Sequence, residues 1–144
     1  MIEATPLKLR ARNAEDLAVI SAALQDALVP LGDISHFPDE KSFVMVVNRY
    51  RWEREGERAE RTHAGLRFDA VQRVRFRGID RANRAQFLSI LAVAYENTGD
   101  AKGTVVLNFA GGGAIRFDVG GLYCILADLG QPWPTQWTPV HEPD

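Results

Sequence analysis

The sequence predicts an α+β fold, in which one antiparallel and strongly bent sheet, or a split barrel, is accompanied by an N-terminal helix and a C-terminal capping helix. Apolar and polar residues alternate with a period of two in several segments, which is typical of strands with one buried face. A glycine-rich link joins two of these segments, and a helical period of 3.6 residues occurs near both ends of the chain. These three observations together favour a sheet-dominated domain.

The length and composition fit one globular domain. The chain has 144 residues, of which 46% are hydrophobic and 25% charged. We therefore expect residues 1–144 to form a single domain, with residues 131–144 as an irregular tail. The net charge of −2 argues against nucleic-acid binding. Because the sequence contains neither a secretory leader pattern nor an apolar run of about 20 residues, we expect a cytoplasmic protein without a membrane span.

The first elements are an edge strand and a helix. Residues 7–11 alternate and predict the strand, and Asn13 is a suitable N-cap for the helix that follows. Apolar side chains recur at helical spacing at Leu17, Ile20, Leu24 and Leu28. Pro30 disfavours helical geometry at the residue before it, so we expect the helix to extend as far as that proline and to end there.

The middle of the chain predicts a series of strands. Residues 31–37 and 42–53 read as strands, and the second approaches solvent at Asn48, Arg49 and Arg51. Residues 54–63 are highly charged and predict a hairpin loop or a mobile excursion. The alternating segment 66–79 exceeds the usual strand length of about 3–10 residues, so we expect a bend or bulge near residues 71 and 72. Residues 87–96 fit a helix or a buried strand, and we favour the strand.

The stretch "FAGGGAIRFDV" at residues 109–119 predicts a β-hairpin. Alternating segments flank the three glycines, and glycine reaches the positive φ angles that tight hairpin turns require. A phosphate-binding loop would have a lysine and a hydroxyl residue after its last glycine, or would lead directly into a helix. Ala114 and a predicted strand follow here instead.

The segment "GLYCILADLG" at residues 121–130 predicts the C-terminal helix. Its apolar residues at helical spacing are Leu122, Ile125, Leu126 and Leu129. Gly130 is a suitable C-cap, and Pro132 lies just beyond it. We expect Cys124 to pack in the core as a small hydrophobic residue.

The strongest candidate for ligand binding is a row of arginines. On a regular strand, Arg73, Arg75 and Arg77 project from one face, and guanidinium groups in a row suit phosphate or carboxylate recognition. We include Arg49 as a fourth candidate ligand-binding residue. A solvated strand face would also account for the row, because basic residues are ordinary solubilising choices there.

The other reactive side chains predict no catalytic or metal site. His36, His63 and His141 have no metal-ligand spacing, and no serine lies in a nucleophile-elbow pattern. We therefore expect no metal and no cofactor. Trp133 and Trp137 flank a proline-rich turn and are predicted to latch the tail onto the core or to form a binding surface.

We favour a non-catalytic binding or interaction module over an enzyme. The alternative is a small protein that binds anionic ligands, or a modest hydrolase, that uses the arginine row. The expected partner is accordingly a protein or a small anionic ligand, and self-association into a homo-oligomer is compatible with the sequence.

Four landmarks resemble a small bacterial family known only as a domain of unknown function. They are "NRYRWE" at 48–53, "RGID" at 77–80, "FAGGGAIR" at 109–116 and "DLGQPW" at 128–133. The resemblance implies a bacterial, cytoplasmic setting and assigns no catalytic residue. The order of segments is also similar to the pleckstrin-homology-like superfold, in which a final helix caps a bent antiparallel barrel. The alternative is an open antiparallel sheet with both helices on one face.

Overall fold

A computed structural model describes residues 6–54 and 59–135. Within these residues the chain forms one α-helix and one sheet of ten strands. The helix is α1 (Ala14–Ala23), and the strands are β1 (Lys8–Ala11), β2 (Leu28–Pro30), β3 (Ile34–Phe37), β4 (Ser42–Tyr50), β5 (Glu60–Phe68), β6 (Val71–Arg77), β7 (Phe87–Gly99), β8 (Lys102–Phe109), β9 (Ala114–Val119) and β10 (Cys124–Pro134).

The strands pair in the order β1-β10-β5-β4-β2-β7-β8-β9-β6, and β3 pairs with β4 beside this path. Each of these pairings is antiparallel. β1 and β6 lie at the two ends of the path, so the sheet is not closed. The predicted antiparallel sheet is therefore confirmed, as an open sheet with one helix.

The sheet folds over on itself around the core. The ring of Phe117 on β9 lies 5.1 Å from that of Phe43 on β4 and 4.9 Å from that of Phe68 on β5. β4 and β9 are four positions apart in the strand order, which corresponds to about 19 Å in a flat sheet. The two halves of the sheet must therefore face each other, with their inward side chains packed between them.

Helix α1 begins as predicted but ends earlier. The Asn13 side chain accepts a hydrogen bond of 2.8 Å from the backbone N–H of Asp16, which confirms the N-cap. The helix ends at Ala23, and residues 28–30 form β2 between β4 and β7. The expected continuation to Pro30 was wrong because Asp26 has a φ of 63° and redirects the chain. Val29 is then fully buried as a strand residue.

The long alternating segment is divided into two strands. Ala70 has a φ of 57°, and the chain turns there, one residue before the expected bend. β5 lies between β10 and β4, whereas β6 lies at the end of the sheet beside β9. A register shift between Val71 and Arg73 confirms the predicted bulge.

The predicted C-terminal helix is wrong, because residues 124–134 form β10. Along residues 124–127, buried side chains (Cys124 and Leu126) alternate with partly exposed ones (Ile125 and Ala127). The segment therefore fits the two-residue period of a strand as well as the helical spacing. Between β1 and β5, the backbone groups of β10 pair with a strand on each side. A surface helix in its place would leave the facing edges of β1 and β5 without those partners. The final capping helix on which the similarity to the pleckstrin-homology-like superfold depended is therefore not found in the described residues. β10 continues through Pro134, although an irregular tail was expected to begin at residue 131.

Two other strand predictions are confirmed. Residues 87–96 belong to β7. The three glycines join β8 to β9, Gly111 and Gly112 have φ angles of 88° and 94°, and Phe109 N–H donates to the Gly113 carbonyl at 2.9 Å. The glycines turn the chain.

Candidate functional site

The outer surface of β6 and β9 carries a group of exposed arginines, which we call the arginine face. Its members are Arg73, Arg75, Arg77 and Arg116. Arg75 lies opposite Arg116, and Arg73 lies opposite Asp118, in the antiparallel register of the two strands. The face adds Arg116 to the row predicted from the sequence, because only the strand register brings that residue beside Arg75.

The arginine face is strongly basic. Its four guanidinium groups are accompanied on β9 by the Asp118 carboxylate, which lies 3.7 Å from Nη2 of Arg75. The Asp118 carboxylate offsets one of the four positive charges, and its exposed pair with Arg75 contributes little stability. A pocket of about 380 Å³ lies on the same surface and is lined in part by Arg75, Arg77 and Arg116.

β6 also presents an open backbone edge. It pairs with β9 on one side, and no described strand pairs with its other side. Such an edge exposes backbone N–H and C=O groups that another extended chain can use. The arginine face and the open edge therefore occur on the same strand.

A separate cavity of about 620 Å³ lies between β3, the inner side of β6 and the loop of residues 78–86. We call it the β3–β6 cavity. Its lining residues are Leu31, Ile34, Ser35, His36, Phe37, Phe43, Val74, Phe76, Arg81 and Arg84. The cavity thus combines aromatic and aliphatic walls with two guanidinium groups.

Arg49 does not join the other three candidate residues. Its side chain is 0% exposed, contrary to the expected position near solvent. Its Nε donates to Asp128 Oδ1 at 2.8 Å, and its two terminal nitrogens donate to the Glu53 carboxylate at 2.9 and 2.7 Å. The hydrogen bonds and charges of these two carboxylates offset the desolvation cost of burying the guanidinium group.

The Arg49 site links distant parts of the fold. Desolvation alone would lower the pKa of Arg49, but the hydrogen bonds and charges of Glu53 and Asp128 outweigh it and raise the pKa. Asp128, from β10, also accepts a hydrogen bond of 2.8 Å from the backbone N–H of Leu7. Next to this site, Arg51 pairs with Glu60 at 2.8 Å. The network holds β4, β10 and the segment before β1 together.

The remaining candidate side chains are dispersed. His63 packs against Trp133, with ring centroids 4.8 Å apart, whereas His141 and Trp137 lie outside the described residues. Within residues 6–54 and 59–135, no group of three or more His, Cys, Asp or Glu side chains could hold a metal ion. Cys124 is 2% exposed, and desolvation, followed by the charge of Asp69, raises its thiol pKa to about 12.

These features define the class of protein: an open antiparallel sheet domain with a basic outer face and a partly open cavity between β3 and β6. The sequence matches the family described as "Protein of unknown function (DUF2948)" over residues 7–141, and the chain belongs to that family. Comparisons with curated proteins and with solved structures found no significant match. Across the described part of the chain, no helix has the length and apolar character needed to cross a membrane.

Proposed function

We propose that the protein is a non-catalytic binding module whose arginine face and open β6 edge bind an acidic, extended segment of a partner protein. The observation that carries this proposal is an unpaired edge strand with three arginines on one face. We also propose a bacterial cytoplasmic location. The bacterial setting rests on the family resemblance, and the single buried cysteine is consistent with a reducing compartment because it forms no disulfide within the chain.

The spacing of the arginines suits an added strand. Residues two apart on a strand lie about 6.8 Å apart on the same face. A peptide with acidic residues at every second position would therefore place its carboxylates beside Arg73, Arg75 and Arg77. Guanidinium–carboxylate pairs are strong charge-assisted hydrogen bonds, and the peptide backbone would pair with the β6 edge.

Other macromolecular partners fit this surface less well. The outer positions of β6, β8 and β9 carry no aromatic ring on which a nucleic-acid base could stack. A second copy of the chain that paired through its own β6 edge would place one row of arginines beside the other. Like charges at opposite positions of paired strands repel each other and destabilise the pairing. An acidic peptide supplies both the backbone groups and the opposite charge.

The test is fluorescence anisotropy with a labelled short peptide in which threonine and glutamate alternate. We expect saturable binding that weakens as salt is added, because exposed charges are screened. The matched probes are the same peptide with lysine in place of glutamate and a single-stranded oligonucleotide. Tighter binding of either probe would contradict the proposal.

Charge-reversal variants locate the binding surface. Arg75→Glu with Arg77→Glu should weaken peptide binding at least about tenfold, which corresponds to ~1.4 kcal/mol. Arg67→Glu is the control, because Arg67 is an exposed arginine on the outer face of β5 and pairs with Asp69. Wild-type affinity in the double variant, or an equal loss in the control, would refute the assigned surface.

A further inference from the structure

The β3–β6 cavity has the dimensions of a small-molecule site. Its volume of about 620 Å³ falls within the range of about 300–1,000 Å³ that is typical of ligand pockets. It lies on the inner side of β6, whereas the arginine face lies on the outer side of the same strand. The two surfaces can therefore be tested independently.

Two arginines without acidic partners border the cavity. The guanidinium carbon of Arg81 lies 4.2 Å from the centre of the Phe76 ring. Nη2 of Arg84 makes a long hydrogen bond of 3.4 Å to the Gly32 carbonyl. No described carboxylate forms an ion pair with either arginine, and no lining residue is acidic. This combination favours an anion, because guanidinium donors in a concave site raise the local concentration of negative charge.

The loop that carries the arginines is held in place by its own hydrogen bonds. Asp80 accepts from the backbone N–H of Ala82 at 3.1 Å, and the Gln86 side chain donates to the Asp80 carbonyl at 2.6 Å. The Gly32 N–H donates to the Arg84 carbonyl at 3.0 Å, which anchors the loop beside β3. The arginine backbones are thus fixed before any ligand arrives, which lowers the entropy cost of binding.

The walls of the cavity provide an apolar surface and one unused polar atom. Phe76 and Val74, both partly buried, offer aromatic and aliphatic contacts to a flat ligand. The His36 ring also lines the cavity, and its Nε2 is buried without a hydrogen-bond partner in the described structure. Most buried polar atoms have a partner, and a polar ligand atom would supply the one that is missing.

We propose that the β3–β6 cavity binds a small organic anion in which a carboxylate or phosphate is joined to an aromatic or similarly flat apolar body. Arg81 and Arg84 hold the acidic group. Phe76 and Val74 contact the apolar body. This site is separate from the proposed peptide-binding edge of β6.

The test is an NMR titration of ¹⁵N-labelled protein with benzoate, phenyl phosphate, inorganic phosphate and benzyl alcohol. We expect benzoate or phenyl phosphate to shift amide signals of residues 31–36, 74–76 and 81–84, and the tighter of the two identifies the acidic group. Inorganic phosphate and benzyl alcohol should each bind at least about tenfold more weakly, because each lacks half of the recognised structure. Equal binding of either control would overturn the proposal.

Two pairs of variants separate this site from the arginine face. Arg81→Gln with Arg84→Gln changes two exposed side chains and should weaken binding of the aromatic anion at least about tenfold. Arg75→Gln with Arg77→Gln, on the outer face, should leave that affinity unchanged. The proposal is overturned if the first pair binds like wild type, if the shifts map to the outer face, or if no probe gives saturable shifts at millimolar concentration.

Discussion

Replacing Arg49 by methionine would measure how strongly the buried network holds β4 to β10. The substitution removes the fully buried cation and leaves the Asp128 side chain, which is 4% exposed, without its charged partner. Removing one partner of a buried ion pair costs about 3–5 kcal/mol, because the other charge stays desolvated. A typical domain is stable by only about 5–15 kcal/mol, so Arg49→Met should lose a large part of the folding free energy.

The assay is equilibrium urea unfolding followed by circular dichroism at neutral pH. Arg67→Met is the control, because it breaks the surface pair between Arg67 and Asp69, whose side chains are 50% and 40% exposed. The control should change the free energy of unfolding by only about 0–1 kcal/mol. A loss of the same small size in Arg49→Met would refute the structural role assigned to the network.

A second variant tests the mechanism of that loss. Arg49→Met combined with Asp128→Leu removes both buried charges, and apolar replacements for buried pairs are often neutral or stabilising. The double variant should therefore be more stable than Arg49→Met alone. Asp128→Leu is measured alone as well. If the loss of stability in the double variant equals the sum of the losses in Arg49→Met and Asp128→Leu, the two residues are not energetically coupled.

Three further predictions concern single residues. Desolvation would raise the pKa of Glu53, but the hydrogen bond and charge of Arg49 outweigh it and lower the pKa from its usual value of 4.5. The urea midpoint of the wild type should therefore fall relative to that of Glu53→Gln as the pH drops below about 4.5, because the protonated carboxyl no longer pairs with Arg49. Cys124, with its raised thiol pKa of about 12, should react with iodoacetamide at least about 100-fold more slowly in native protein than in urea, as followed by mass spectrometry at mildly alkaline pH. Gly112→Ala should cost about 1–2 kcal/mol because the φ of 94° is unfavourable for a side chain, whereas Ala110→Ser should leave the unfolding midpoint nearly unchanged.

The sequence predicted the strands whose pairing is local. In β8 and β9, strict alternation and the glycine turn occur within one short stretch, and the hairpin forms between neighbours in the chain. The same alternation placed Arg73, Arg75 and Arg77 on one side of β6. Such features depend on side-chain period and turn chemistry, which can be read directly from residue order.

The elements that were predicted wrongly depend on distant partners. Leu28 fits the helical stripe of α1, yet it pairs with Ser89 and Asn48 in the sheet. Leu126 fits a helical face as well, but it pairs with Leu66 and Leu9 on the two adjacent strands. Both segments carry the two periods at once, and the available strand partners decide between them.

The same limit applies to the candidate sites. Arg49 and Asp128 are 79 residues apart, so no local pattern indicates that they meet. The β3–β6 cavity likewise needs the convergence of β3, β6 and the loop of residues 78–86. Arg116 becomes part of the arginine face only through the register of β9 with β6.

The position of β10 has a consequence for the order in which the protein folds during synthesis. β10 lies between β1 and β5, and Asp128 receives a hydrogen bond from Leu7, which is 121 residues earlier. Until residues 124–134 have been synthesised, β1 lacks its sheet partner and one side of β5 is uncovered. The sheet therefore completes only after β10 has formed, and such long-range pairing makes folding comparatively slow.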